Sequence, residues 1–293
     1  MGATALLPVL LAGACSSPSP PREIAPPKPI VLAGAETLAP MLRGEVLAFR
    51  DRYPKSAEIR IAANGSAEGM EQLVNGEVNM SVLTRELTDP EVKAAVARAG
   101  LVAYPIAWDG VAAVVNAACP VEQISRTELA DIYRGVITQW DTLGWKAGGP
   151  ILPLTTDPRL GLYEFIRQSL LGGDAYATGV YAQPSEEEIV RIVAERPGSI
   201  GLVSHGLVDE RVRALRVSIA QGLPSVPLSR ETLMLRKYPL LRGLSLCTPQ
   251  RADATASDFI NFVSGMDGQR IAVRYGYAPA TVPVQIVRTV EEE

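Results

Sequence analysis

A chain of 293 residues, 47% of them apolar and 20% charged, with a formal charge of −4, carries enough apolar material for two globular lobes. Its slight acidity, without any basic cluster, excludes nucleic acid as the main partner. One histidine and three cysteines, none at paired ligand spacing, argue against a zinc site, and no cofactor is expected.

The chain opens with a short apolar run, Ala3 to Ala14, that ends Leu11-Ala12-Gly13-Ala14-Cys15. It is too short to span a bilayer as a permanent helix. It fits an export signal over 1–14, with Cys15 as the lipid-modified residue and the Ser/Pro-rich 15–29 as an extended tether. No Lys or Arg precedes the run and Pro8 interrupts it, so a disordered cytosolic tail is the alternative.

Ile30-Val31-Leu32 is the first expected strand. A Gly34-containing turn leads to Thr37, which is placed to cap a helix over 38–52, with Pro40 tolerated in its first turn. Ile59 and Ile61 alternate with charged residues as a second strand. Asn64-Gly65 turns the chain, and Ser66 offers a cap to a helix carrying Met70, Leu73 and Val74 on one face. Asn75-Gly76 stops that helix before a strand over 78–83. A helix N-terminus presents unpaired N–H donors and partial positive charge, so it accepts an anion readily. Two such starts in one lobe predict a convergent site for an anion or polar ligand; ordinary capped helices are the plainer reading.

A helix over 88–99 and a strand over 102–105 follow. The apolar run 106–116 holds Asp109-Gly110 in its middle, which predicts a long strand that changes surroundings part-way, as at a domain crossing. Asp109 is a ligand contact or simply a turn aspartate. Ser125 and Glu128 form a capping box for a helix over 129–133. Trp140 and Trp145 lack interleaved basic residues and read as core aromatics. A strand over 151–155, a helix over 162–171, a second Ser185/Glu188 capping box before 189–194 and a strand over 200–203 come next. His205 has no G-x-S-x-G nucleophile elbow to serve, so no enzyme is expected. The segment 226–235 reads as extended chain, 253–263 as an amphipathic helix, and 269–276 closes the fold before a loose tail. Cys119 and Cys247 are either a pair in an oxidising compartment or two separate buried thiols.

Several segments, in order, resemble the phosphate-binding periplasmic proteins of ABC transporters. They are GAETLAP at 34–40, NGSAEGMEQLVNGEVNMSVLTREL at 64–87, PIAWDGVAAVVN at 105–116 and ELADIYRGVITQWDTLG at 128–144. SIGLVSHGLV at 199–208, VPLSR at 226–230 and DGQRIAVRYGYAP at 267–279 complete the set. The resemblance implies an α/β, two-lobed periplasmic-binding-protein (type II) clamp with two crossing hinge strands, near 109–116 and 226–235. Lobe 1 is then 30–110 with 225–293, and lobe 2 is 111–224. By position it implies ligand contacts at Thr37, Leu38, Gly65, Ser66, Thr84, Arg85 and Asp109, with Gly161 and Arg159 from the second lobe.

The second lobe departs from the family pattern of an arginine after a strand and then Gly-Ser-Gly-Thr-Arg. Thr156 stands where the arginine would be, Leu160 and Leu162 replace the hydroxyl residues, and Tyr163 replaces the last arginine. Hydrogen bonds to charged groups contribute roughly 1.5–3 kcal/mol each, so losing three donors removes ~4–9 kcal/mol. Micromolar binding amounts to only about 8 kcal/mol. The expectation is therefore a lipid-anchored solute-binding protein of the periplasm or cell envelope. It would be a monomer that captures phosphate or a related oxyanion for an ABC permease by lobe closure. The alternative is a binding-degenerate relative acting as an envelope scaffold or sensor.

Overall fold

The computed structural model describes residues 28–97 and 100–280. The expected export signal, Cys15, the tether up to residue 27 and the C-terminal tail lie outside the described residues.

The first half of the chain builds β1 (Ile30–Gly34), α1 (Ala39–Arg52), β2 (Ile59–Ala63), α2 (Ser66–Asn75), β3 (Met80–Leu83), α3 (Asp89–Ala97) and β4 (Leu101–Asn116). There follow β5 (Gln123–Ser125), α4 (Arg126–Tyr133), β6 (Leu152–Thr156), α5 (Gly161–Ser169), β7 (Tyr181–Gln183), α6 (Glu186–Glu195) and β8 (Ser199–Ser204). The chain closes with β9 (Val212–Ala214), β10 (Arg216–Ser218), α7 (Arg230–Met234), β11 (Leu241–Pro249), α8 (Ala254–Ser264), α9 (Met266–Arg274) and β12 (Ala278–Pro279). No described helix is long and apolar enough to cross a membrane.

The main sheet runs β2-β1-β3-β11-β4-β8-β6-β7. β1 lies parallel between β2 and β3, and β6 lies parallel between β7 and β8. The strand that joins these two halves is β4. From Leu101 to Gly110 it pairs antiparallel with β11, and from Val111 to Val115 it pairs antiparallel with β8. The change of surroundings expected in the Asp109-Gly110 run therefore falls at that dipeptide. A Cβ on Gly110 would sit 2.4 Å from a Leu233 methyl, so α7 can pack against the strand only where the side chain is missing.

Each half buries its own core. Ile30, Leu32, Leu38, Phe49 and Phe259 belong to one cluster. Val111, Val115, Tyr133, Trp140, Leu162 and Ile166 belong to another, backed across the sheet by Leu154, Ile189 and Val193. Trp140 is fully buried, in keeping with a core aromatic. Cys119 and Cys247 are free, buried thiols in different clusters. The result is a two-lobed α/β clamp with a doubly connected sheet.

Three local expectations are corrected. Thr37 caps nothing: it lies inside a 3-10 turn, Glu36–Leu38, and α1 begins at Ala39 with Leu38 at its N-cap. Ser66 is the first residue of α2, and Gly65, at φ 95°, holds the cap position. The segment 226–235 is not extended. Ser229 and Thr232 form a capping box that starts α7, and Leu233, Tyr238 and Leu240 join the second core. The returning strand is β11, which starts later.

Candidate functional site

α2 is fixed on the sheet by Gly69, where a Cβ would lie 2.5 Å from the Gly34 Cα. That close approach aims the start of α2 across the gap between the lobes. On the far side α5 starts at Gly161, with Leu160 at its N-cap. The two helix starts meet. A Cβ on Gly161 would stand 2.1 Å from Thr84 Oγ1 and 2.6 Å from Ser66 Oγ, and one on Gly65 would stand 2.7 Å from the Arg159 carbonyl oxygen. The Ala67 N–H donates to that carbonyl at 3.3 Å.

Ser66 is fully buried. Its Oγ accepts from the Thr84 N–H at 3.3 Å and lies 3.5 Å from Thr84 Oγ1. Thr156, at the end of β6, is also fully buried, and its Oγ1 has no hydrogen-bond partner. Both helices point their positive ends into this seam. The seam therefore brings together Gly65, Ser66, Thr84 and Gly161, with the Arg159 carbonyl between them. It is suited to holding negative charge with amide and hydroxyl donors.

The other expected contacts lie elsewhere. Leu38 is a core side chain, and its N–H donates to the Ala35 carbonyl at 3.3 Å. The Thr37 carbonyl accepts from the Tyr277 hydroxyl at 3.3 Å. Arg159 extends into solvent and chelates Asp157, Nε to Oδ1 at 2.9 Å and Nη2 to Oδ2 at 3.2 Å. Arg85 is nearly buried and holds Glu91 through two hydrogen bonds of 2.7 Å. Burial pushes the Glu91 carboxyl up, but hydrogen bonds from Arg85 and Thr88 outweigh it and leave it below the usual range.

Asp109 lies within β4, not in a turn, and its carboxylate is already paired. Its Oδ2 accepts from Arg242 Nε at 2.9 Å and its Oδ1 from Ser204 Oγ at 3.0 Å. Glu186, at the start of α6, accepts from the Ser204 N–H at 2.5 Å and from Arg242 Nη2 at 3.2 Å. Burial raises the Glu186 carboxyl to about 7, against the pull of Arg242. Burial also raises Glu36, again opposed by Arg242. The remaining Arg242 nitrogen, Nη1, is buried without a partner. Burial keeps the His205 imidazole below its usual value, with Asp109 opposing.

Arg242 and Glu186 form the buried polar centre that reading the sequence missed. The one available signal was an arginine set in the apolar run LRGLSLC at 241–247. A lone charge in a central strand demands a partner, but its partners, Asp109 and Glu186, lie 133 and 56 positions away in the chain.

A PBP superfamily domain matches residues 17–265, and the chain belongs to that superfamily. Its relatives include the phosphate-binding protein PstS of Bacillus subtilis, 28% identical over 86% of this chain and 81% of the relative. Protein SphX of Synechococcus elongatus is 26% identical over 94% of this chain and 85% of its own length. Among solved structures, a substrate-binding protein from Clostridium perfringens with bound phosphate superposes with a TM-score of 0.77. It is 23% identical and covers 87% of this chain and 100% of its own. An ABC-type phosphate transport receptor from Vibrio cholerae gives 0.71 at 24% identity, covering 85% and 99%.

Proposed function

We propose that this chain is an exported solute-binding protein that captures phosphate or a related oxyanion between its lobes and delivers it to an ABC importer. The observation that carries this reading is the head-on meeting of α2 and α5 at Ser66, Thr84 and Gly161. Two positive helix ends placed face to face repel unless negative charge lies between them. The relatives support the same ligand class, since several are named phosphate-binding proteins.

The crossing strands support lobe closure, with β4 and β11 as the proposed hinge between the halves. We divide the chain as 30–110 with 241–293 against 111–240, moving the second crossing from the expected 226–235 to 240–241. The packing of Leu233, Tyr238 and Leu240 with the second core supports that later crossing. Cys15 is the proposed lipid attachment, holding a monomer at the membrane in the periplasm or cell envelope with an ABC permease as partner. A Cys15→Ser protein that stayed in the membrane fraction would refute the anchor.

The ligand test is calorimetry of the full chain with phosphate, arsenate and sulfate. Binding of one or more is expected; heat from none of them would reject the oxyanion clamp. A second reading, a relative that has lost its transport ligand and serves as an envelope scaffold or sensor, is favoured by one observation. The Arg159 carbonyl already takes the Ala67 N–H, while Leu160 and Leu162 supply no hydroxyl. A tight phosphate complex would remove this second reading.

A further inference from the structure

Beside the seam lies a cavity of about 610 Å³, within the range of roughly 300–1,000 Å³ usual for small-molecule sites. Its walls come from both lobes and from the crossing strands. Arg85 follows β3, Phe165, Arg167 and Ser169 belong to α5, and Trp108 and Arg242 belong to β4 and β11. Of the contacts implied by the family resemblance, only Arg85 reaches this chamber.

The chemistry of the wall differs from that of the seam. An arginine has five N–H donors. Arg85 uses three of them, on Glu91 twice and on the Glu86 carbonyl. Arg167 also uses three, on Glu164 twice and on the Gly173 carbonyl. Each guanidinium thus keeps two donors while its charge is balanced by its own carboxylate. Such a wall offers hydrogen bonds and little net positive charge. Trp108 and Phe165 add aromatic surface that a bare oxyanion cannot use. The chamber is also far larger than an oxyanion built on a single phosphorus or sulfur centre.

We propose that this chamber binds an organic anion, a phosphomonoester or a carboxylate with an apolar body. The anionic group lies between Arg85 and Arg167 and the body against Trp108 and Phe165. Because the two arginines come from opposite lobes, such a ligand draws the lobes together. The proposal rests on the two-lobed binding-protein reading and goes beyond it in the class of ligand.

The test is calorimetry of the full chain with phenyl phosphate, benzoate, inorganic phosphate and phenol, repeated on Phe165→Ala and on the milder Phe165→Leu. The expected result is that phenyl phosphate or benzoate binds at least tenfold more tightly than inorganic phosphate or phenol. Which of the two binds better identifies the head group. Phe165→Ala then weakens the organic anion at least fivefold and leaves inorganic phosphate unchanged. Phe165→Leu, which keeps most of the volume, gives a smaller loss in the same direction and decides the matter if the alanine variant does not fold. Inorganic phosphate binding as tightly as the organic anions, or no change in either variant, overturns the chamber and leaves the oxyanion clamp standing. No heat from any probe overturns both.

Discussion

Arg242 and Asp109 stand opposite each other on β11 and β4, and their side chains, each 1% exposed, meet at 2.8 Å. These strands connect the two halves of the sheet, so the ion pair sits at the hinge proposed above. Glu186 joins the pair from α6, which ties the second lobe to the same guanidinium. Breaking a buried pair by removing one partner leaves an uncompensated charge and costs about 3–5 kcal/mol. Asp109→Ala is expected to lower the urea midpoint accordingly. Replacing Arg242 and its two carboxylates together with apolar residues should cost much less. Equal midpoints for wild type and Asp109→Ala would mean the pair contributes nothing to the fold.

The same cluster sets a pH dependence. Glu186 titrates at about 7 in the folded chain against an ordinary value of 4.5, so the folded state binds this proton more tightly than the unfolded one. Its contribution to stability is complete below about pH 4.5 and is lost as the pH rises through about 7. The difference corresponds to at most about 3 kcal/mol. Glu36 shifts in the same direction, while Arg242 opposes both. Urea midpoints measured from pH 5 to 8 should fall more steeply for wild type than for Glu186→Gln. Parallel curves would place the titration on other groups.

Much of the architecture was legible because local chemistry and tertiary structure agree. The pattern at 58–83 spells strand, glycine turn, helix and strand, and β2, α2 and β3 follow it. Ser125 and Glu128 satisfy each other as a full capping box. Ser185 accepts from the Glu188 N–H, but the Glu188 carboxylate turns to Arg191 instead of completing the box. What stayed hidden was long-range. Gly65, Ser66 and Thr84 could be proposed as neighbours of Gly161 by resemblance, yet nothing local shows that the Arg159 carbonyl would come between them. Asp109 read as a ligand contact or a turn aspartate; its pairing depends on Arg242, which lies far along the chain and meets it only through sheet register.

Ser66 makes one specific contribution that mutation isolates. Its Oγ accepts the Thr84 N–H, and Ser66→Ala leaves that buried donor without its acceptor while removing a hydroxyl from the seam. Oxyanion affinity is expected to weaken by about 1–3 kcal/mol. Calorimetry with phosphate reads this directly, and an unchanged dissociation constant would move the anion away from the start of α2.

Gly161 separates closure from folding. Gly161 is the first residue of α5 and has no left-handed backbone to protect, so Gly161→Ala should leave the second lobe about as stable when it stands open. The added methyl, however, would sit 2.1 Å from Thr84 Oγ1 and 2.6 Å from Ser66 Oγ, and those neighbours belong to the opposite lobe. Overpacking of this kind costs about 1–3 kcal/mol, here charged only against the closed state. The variant is therefore expected to show a larger radius of gyration in solution scattering and an oxyanion affinity at least fivefold weaker, with its thermal midpoint held. If Gly161→Ala keeps both the compact radius and the affinity of wild type, the seam between α2 and α5 is not where the clamp closes on its ligand.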